Sequence, residues 1–266
     1  MRRRLIHMSA HPLLWARFLY RHDLRHEDVR LMDNPRFADW EPMYRVAREP
    51  LARLTGRTPE ELDRFYRELA PIHRQLEAEA GRLQGASALM QAPLLYLIVR
   101  ATHPALALET GVSSGFSSRL ILEALEANGS GELHSIGVAQ VAAGRSSDGL
   151  GDAVAARPIG YLVSERLRAR WHLHFGRSDD VMPGLLTSLA QPLDLFLHDS
   201  RHQYDTMTWE YTTALPHLRP NGLLLSHDIH TCRAWPDFIA ARSLAGDEEL
   251  DHDLGGVRVP IAPARG

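Results

Sequence analysis

Three short stretches of this chain combine residue types that can hold a ligand or move a proton. The first is Glu109-Thr110-Gly111-Val112-Ser113-Ser114-Gly115. An apolar run precedes it and a helix-like pattern follows, so it reads as a turn from a strand end into a helix start. Glycines there let the backbone approach a ligand closely, and a carboxylate at a strand end can pair with a cation or with hydroxyls. The spacing is Gly-x-x-x-Gly rather than Gly-x-Gly-x-x-Gly, and the chain has no lysine to complete a Walker A loop. A tight turn with a purely structural role is the alternative.

The second stretch is His198-Asp199-Ser200-Arg201-His202-Gln203-Tyr204, directly after the buried-strand pattern Leu193–His198. Polar residues at such a strand end sit where α/β sheets place their ligands, although Asp199 could instead cap the next helix. The third is Ser226-His227-Asp228-Ile229-His230, placed likewise after 223–227. If these two strands are neighbours, their ends lie about 4.8 Å apart. Asp199 and Asp228 could then share one divalent cation at roughly 2.0–2.6 Å, with His202, His227 or His230 adding a nitrogen ligand. His227 reads equally well as a satisfied core histidine.

The elements that must position these residues alternate. Apolar strand patterns at 105–109, 133–138, 171–175, 193–198 and 223–227 are separated by helical patterns at 116–127, 165–168, 182–189, 206–218 and 234–244, with 256–259 as a closing strand. Such alternation means a parallel sheet covered by helices. Asn128-Gly129-Ser130-Gly131 and Arg219-Pro220-Asn221-Gly222 read as turns. Residues 140–157 have no period and read as a long mobile loop, of the kind that often forms a lid. The first hundred residues look helical: Trp15, Phe18 and Leu19 share a face, and Thr58-Pro59-Glu60-Glu61 starts a helix whose stripe is Leu62, Phe65, Tyr66 and Leu69. Further helices are expected at 71–83 and 92–101.

Composition removes several classes. The 266 residues are 44% hydrophobic and 24% charged, enough apolar material for a packed core. A net charge of −3 is no footprint of a nucleic-acid binder. Every one of the 30 basic side chains is arginine, which excludes a lysine Schiff base. Cys232 is the single cysteine, so an intrachain disulfide cannot form. No apolar run approaches a membrane span. The stretch after Arg2, Arg3 and Arg4 is broken by His7, His11 and Arg17, so it lacks a signal-peptide core, and a cytoplasmic location is expected.

Residues 109–117, 193–204 and 218–228 together resemble the class I S-adenosylmethionine-dependent methyltransferases, closest to the branch with sugar and macrolide O-methyltransferases, some magnesium-dependent. The resemblance covers about residues 100–260. It implies a Rossmann-like α/β fold, a seven-stranded, mostly parallel sheet with helices on both faces, over residues 101–266. The 1–100 segment would be a helical extension that caps the site or mediates homodimerisation. By resemblance, Glu109, Gly111, Ser113 and Gly115 hold the methionine part of S-adenosylmethionine, and Val138, Ser178 and Asp179 border its nucleoside part. Asp199 lies beside the sulfonium as general base or metal ligand, His202 is a second candidate base, and Asp199 with Asp228 would hold Mg2+. The acceptor would be a hydroxyl on a sugar or secondary metabolite.

Two positions depart from the family pattern. The second strand ends at Gly137, where relatives carry an acid that grips the ribose, and Gly176-Arg177-Ser178 stands where Gly-Asp-Ala or Gly-Asp-Ser is usual. Losing a bidentate carboxylate–diol contact costs roughly 1.5–3 kcal/mol, about ten- to a hundredfold in affinity. The alternative function is therefore a protein of this fold that binds another ligand or a partner. A metal-dependent hydrolase built on Asp199, His202 and Asp228 would lack a distinctive ligand spacing such as His-Glu-x-x-His.

Overall fold

Alternation along the strands sends neighbouring residues to opposite faces of one sheet. In β4 (Leu193–His198), Leu195 and Leu197 enter one core while Phe196 enters the other. The computed structural model describes residues 41–81, 92–138, 158–251 and 253–260. The readings for Trp15, Phe18 and Leu19, for Leu83, and for the 140–157 loop lie outside the described residues.

The sheet has seven strands in the order β3-β2-β1-β4-β5-β7-β6. These are β1 (Leu106–Thr110), β2 (Glu132–Gly137), β3 (Trp171–Phe175), β4, β5 (Leu218–His227), β6 (Glu248–Asp251) and β7 (Leu254–Arg258). The first five run parallel, β7 is antiparallel to β5, and β6 is antiparallel to β7. The order reverses between β1 and β4, so a crevice opens at the carboxyl ends of these two strands, the place where open α/β sheets bind ligands.

Four helices cover one face: α1 (Glu41–Thr55), α2 (Pro59–Gly81), α3 (Ala92–Thr102) and α4 (Phe116–Asn128). Three cover the other: α5 (Ser178–Ser188), α6 (Tyr204–Ala214) and α7 (Ala234–Ala241). Thr58 and Glu61 form a reciprocal capping box at the start of α2, through Glu61 N to Thr58 Oγ1 at 3.3 Å and Thr58 N to Glu61 Oε2 at 2.9 Å. α2 continues through Pro71, where the sequence suggested two helices. The buried stripe Leu62, Phe65, Leu69 and Leu76 crosses the proline, so packing holds the two halves together.

α1 and β6 are the elements the sequence reading lacks. Tyr44, Ala47, Leu51 and Leu54 form a buried stripe at helical spacing. β6 carries three acids among four residues and shows no alternation. It exists because Leu250 is buried and Glu248 accepts a bidentate pair from Arg53 of α1 at 2.7 and 2.8 Å. Glycines in β7 allow close packing there: a Cβ on Gly256 would stand 2.7 Å from Leu54 Cδ2, and one on Gly255 2.9 Å from Trp235 Cε2.

Candidate functional site

The turn after β1 is built on left-handed backbone at Gly111 (φ 87°), Ser113 (φ 47°) and Gly115 (φ 84°). At Gly111 the close neighbour is protein: a Cβ would lie 2.0 Å from the Asp199 carbonyl oxygen. Asp199 N also donates to Thr110 O at 2.9 Å. The end of β1 and the residue after β4 are thus locked in register. Gly115 caps α4 without a side-chain hydrogen bond to the helix start. Residues 160–163 pack over the turn, with Gly160 N donating to Ser113 O at 2.9 Å and Leu162 N to Ser114 O at 3.0 Å.

Glu109 is wholly buried, and its carboxyl group meets three serine hydroxyls: Ser135 at 2.6 Å, Ser117 at 3.2 Å, and Ser118. Trp171 Nε1 donates to Ser135 Oγ at 2.8 Å and extends the network to β3. Burial pushes the Glu109 carboxyl up to about 7, the nearby Asp199 charge adds to this, and the serine hydrogen bonds oppose it. These contacts brace the turn from behind.

A second buried carboxylate is Glu210 of α6, which no sequence signal marks for a role. It accepts from Thr110 Oγ1 at 2.5 Å, Ser200 Oγ at 2.6 Å and His198 Nδ1 at 2.6 Å, with Ser178 adding a further hydrogen bond. Burial alone would raise its pKa, but these donors outweigh it and the net shift is downward. Ser178, expected near a nucleoside, is therefore joined to this hub. Glu210 ties the ends of β1 and β4 to α5 and α6.

Asp199, His202, His227 and Asp228 come together in front of these supports. His202 Nδ1 lies 3.1 Å from Asp228 Oδ2, and its Nε2 lies 3.6 Å from Asp199 Oδ1. His227 Nδ1 stands 3.0 Å from Asp199 Oδ1 and 3.9 Å from Asp228 Oδ2. Burial works against a charge on His227, yet Asp199, Asp228 and Asp253 outweigh it and raise the ring's pKa. The same pairing lowers Asp199 against its burial. Asp228 has left-handed backbone (φ 55°), an unusual conformation for a non-glycine residue and one found at functional sites. Asp199 does not cap α6, whose N-cap is Gln203.

Two overlapping sets bring ligand atoms within 4.8 Å of one another: Asp199, His202 and His227, and His227, Asp228 and Asp253. Where the sequence suggested that Asp199 and Asp228 share a cation, the structure places His227 between them. Asp253 had no signal in the sequence, because it reaches the site from the loop between β6 and β7. His230 lies elsewhere, 3.1 Å from Glu249 Oε1.

The remaining expected residues sit at the edge. Val138 is exposed just past β2, and Asp179 is held by Arg177 through bonds of 2.8 and 2.6 Å on the surface. The space beside Gly137 is apolar: a Cβ there would stand 2.5 Å from Ile159 Cδ1 and 3.1 Å from Val112 Cγ2. A cavity of about 220 Å³ lies at the opposite end of the strands, lined by Arg57, Arg219 and Arg258 among others, away from this chemistry. Among the described residues no helix is long and apolar enough to cross a membrane.

Residues 108–229 match the model of a family described as "Methyltransferase domain". No curated protein matches the chain. Solved structures that resemble it include an O-methyltransferase from Bacillus cereus in complex with S-adenosylhomocysteine, at 15% identity over 75% of this chain and 90% of that one, with a TM-score of 0.46. The S-adenosylhomocysteine-bound methyltransferase PaMTH1 of Podospora anserina matches at 15% identity over 76% and 87%, with a TM-score of 0.48. The O-methyltransferase TomG from Streptomyces achromogenes, involved in tomaymycin synthesis and bound to S-adenosylmethionine, matches at 20% identity over 75% and 90%, with a TM-score of 0.46.

Proposed function

We propose, from this chain's membership of the class I S-adenosylmethionine-dependent methyltransferases, that it methylates a hydroxyl oxygen on a small molecule, a sugar or other secondary metabolite, with His202 as general base. The observation that carries this reading is the place of His202 between Asp228 and Asp199 at the carboxyl ends of β4 and β5. Asp228 faces Nδ1 and favours the tautomer that keeps the Nε2 lone pair for a proton. Removal of the acceptor's hydroxyl proton by Nε2 makes an imidazolium, and the two carboxylates stabilise that charge. Asp199 is already paired with His227, so its role is that of a fixed anion beside the base.

The donor set fits the amino-acid half of the cofactor. The N-terminus of α4, capped by Gly115 without a side-chain bond, leaves backbone N–H groups suited to a carboxylate. Gly111, Ser113 and Gly115 shape that turn, and Glu109 braces it. Toward the nucleoside half, Val112 and Ile159 offer apolar contact in place of a carboxylate. S-adenosylmethionine, when bound, supplies an electrophilic methyl group; the chain's own work is to align the acceptor and take its proton.

Magnesium does not fit the central donor set. Two imidazoles stand among the nearest ligand atoms, and Asp199 and Asp228 face them rather than a common point. Mg2+ prefers an all-oxygen octahedron.

The apolar wall at Gly137 favours a second reading, in which the fold binds a different ligand or a partner. Calorimetric titration of the purified protein with S-adenosylmethionine and S-adenosylhomocysteine separates the two. The first reading expects micromolar binding, followed by transfer of a labelled methyl group to hydroxylated acceptors. A folded sample that ignores millimolar cofactor overturns it in favour of the second.

A further inference from the structure

A second cluster of metal-ligating side chains lies outside the crevice, where β2 meets the edge strand β3. The parallel register pairs His134 with His172 and Ile136 with His174. Period-two alternation puts Glu132, His134, His172 and His174 on the same face of the sheet. The rings crowd one another: His134 stacks on His172 at 4.6 Å between centroids and on His174 at 5.1 Å. His134 Nδ1 is 3.0 Å from His174 Nε2, and His172 Nε2 is 3.3 Å from Glu132 Oε2. One ligand atom each from Glu132, His134 and His172 falls within 4.8 Å of the others.

We propose that Glu132, His134 and His172 form a binding site for a zinc-like divalent transition-metal ion, with His174 orienting the His134 ring. Tetrahedral zinc with bonds of roughly 2.0–2.1 Å places its ligand atoms about 3.3 Å apart. The Glu132–His172 contact at 3.3 Å already matches that separation, and a ligand atom of His134 lies within 4.8 Å of both, a gap that side-chain rotation can close. Three protein ligands leave the fourth position for water.

A neutral imidazole only shifts its hydrogen to the nitrogen that faces away from the ion. Two imidazoles and one carboxylate suit zinc, nickel or copper and not magnesium or calcium. The ion would bolt β3, the edge strand of the sheet, to β2.

The test is calorimetric titration of the intact protein with zinc chloride, alongside two variants, His134→Ala/His172→Ala and His202→Ala/His227→Ala. The second pair removes nitrogen donors from the crevice, so ions bound there are told apart. The expected result is one zinc of micromolar affinity that survives in the crevice variant and weakens at least about a hundredfold in the β2–β3 variant. Zinc should also raise the melting temperature of the wild type and not of the single variant His172→Ala, whose exposed side chain can be removed without disturbing the core. The proposal is overturned if the β2–β3 variant, folded by circular dichroism, takes up zinc like the wild type. It is equally overturned if zinc binding disappears with the crevice histidines alone, or if zinc does not bind.

Discussion

Gly111 and the main chain of Asp199 occupy adjoining space with no room for a single extra carbon, because a Cβ on Gly111 would lie 2.0 Å from the Asp199 carbonyl oxygen. The turn after β1 and the residue after β4 are therefore one rigid unit. In Gly111→Ala the backbone must shift, and its φ of 87° adds strain. We expect a cost of about 2 kcal/mol or more in chemical denaturation, with loss of both cofactor affinity and turnover. Wild-type values for all three would show that the contact yields.

In the proposed reaction His202 and its two carboxylates divide the work of proton removal. His202→Ala should lower kcat by roughly 10²–10⁴-fold while calorimetric affinity for S-adenosylhomocysteine stays within about twofold. Asp228→Asn, which leaves the ring in place but weakens its orientation, should fall between that variant and the wild type. Asp199→Asn should abolish turnover in a folded protein, since it removes the anion facing Nε2 and leaves His227 without its main counter-charge. Turnover by His202→Ala equal to wild type would transfer the base role elsewhere.

Glu109 makes stability depend on pH in an unusual direction. Its folded pKa is raised from 4.5 to about 7, so between these values the native state holds a proton that the unfolded chain gives up. Stability from this group is full below about pH 4.5 and falls as pH rises to about 7, by roughly 3 kcal/mol. Glu109→Gln carries no such proton. The gap between wild type and Glu109→Gln in urea denaturation should therefore move by about that amount in the variant's favour from pH 4.5 to 7.5. A gap that stays constant would mean that the serine hydrogen bonds hold Glu109 near its ordinary value.

At Gly137 an acid in place of the glycine would have to displace the end of the Ile159 side chain, whose Cδ1 stands 2.5 Å from the Cβ position. Gly137→Asp alone should weaken cofactor binding or leave it unchanged. Gly137→Asp with Ile159→Ala opens the space, and a carboxylate–diol contact should then tighten binding about tenfold or more. Equal affinities for the two variants would place the ribose away from β2.

Much of the architecture was legible because it rests on local signals. The strands at 171–175 and 193–198 were readable to the residue from apolar runs bounded by turns. Thr58-Pro59-Glu60-Glu61 announced α2 through its capping box. β6 was not legible, since Glu248-Glu249-Leu250-Asp251 becomes a strand only through β7 and Arg53. At the site, strand-end position pointed to Asp199, His202 and Asp228. The contribution of Asp253 is a tertiary fact, as it arrives from another loop. Glu210 sits in a helix pattern, where a glutamate looks like a solvated residue until Thr110, Ser200 and His198 are seen to converge on it.

The fastening of α1 to the last strand has a consequence for the order of events during synthesis. Arg258 donates to the carbonyl oxygens of Leu54 at 2.5 Å and Thr55 at 2.9 Å, partners 204 and 203 residues away along the chain. Leu54 also fills the space beside Gly256. At 5–20 residues per second, a ribosome needs roughly 10–40 s to make the stretch between them. For that interval α1 exists without the strand that covers it. The arginine that closes the helix end is made 204 residues after Leu54, so completion of the sheet and shielding of this early helix are one late step.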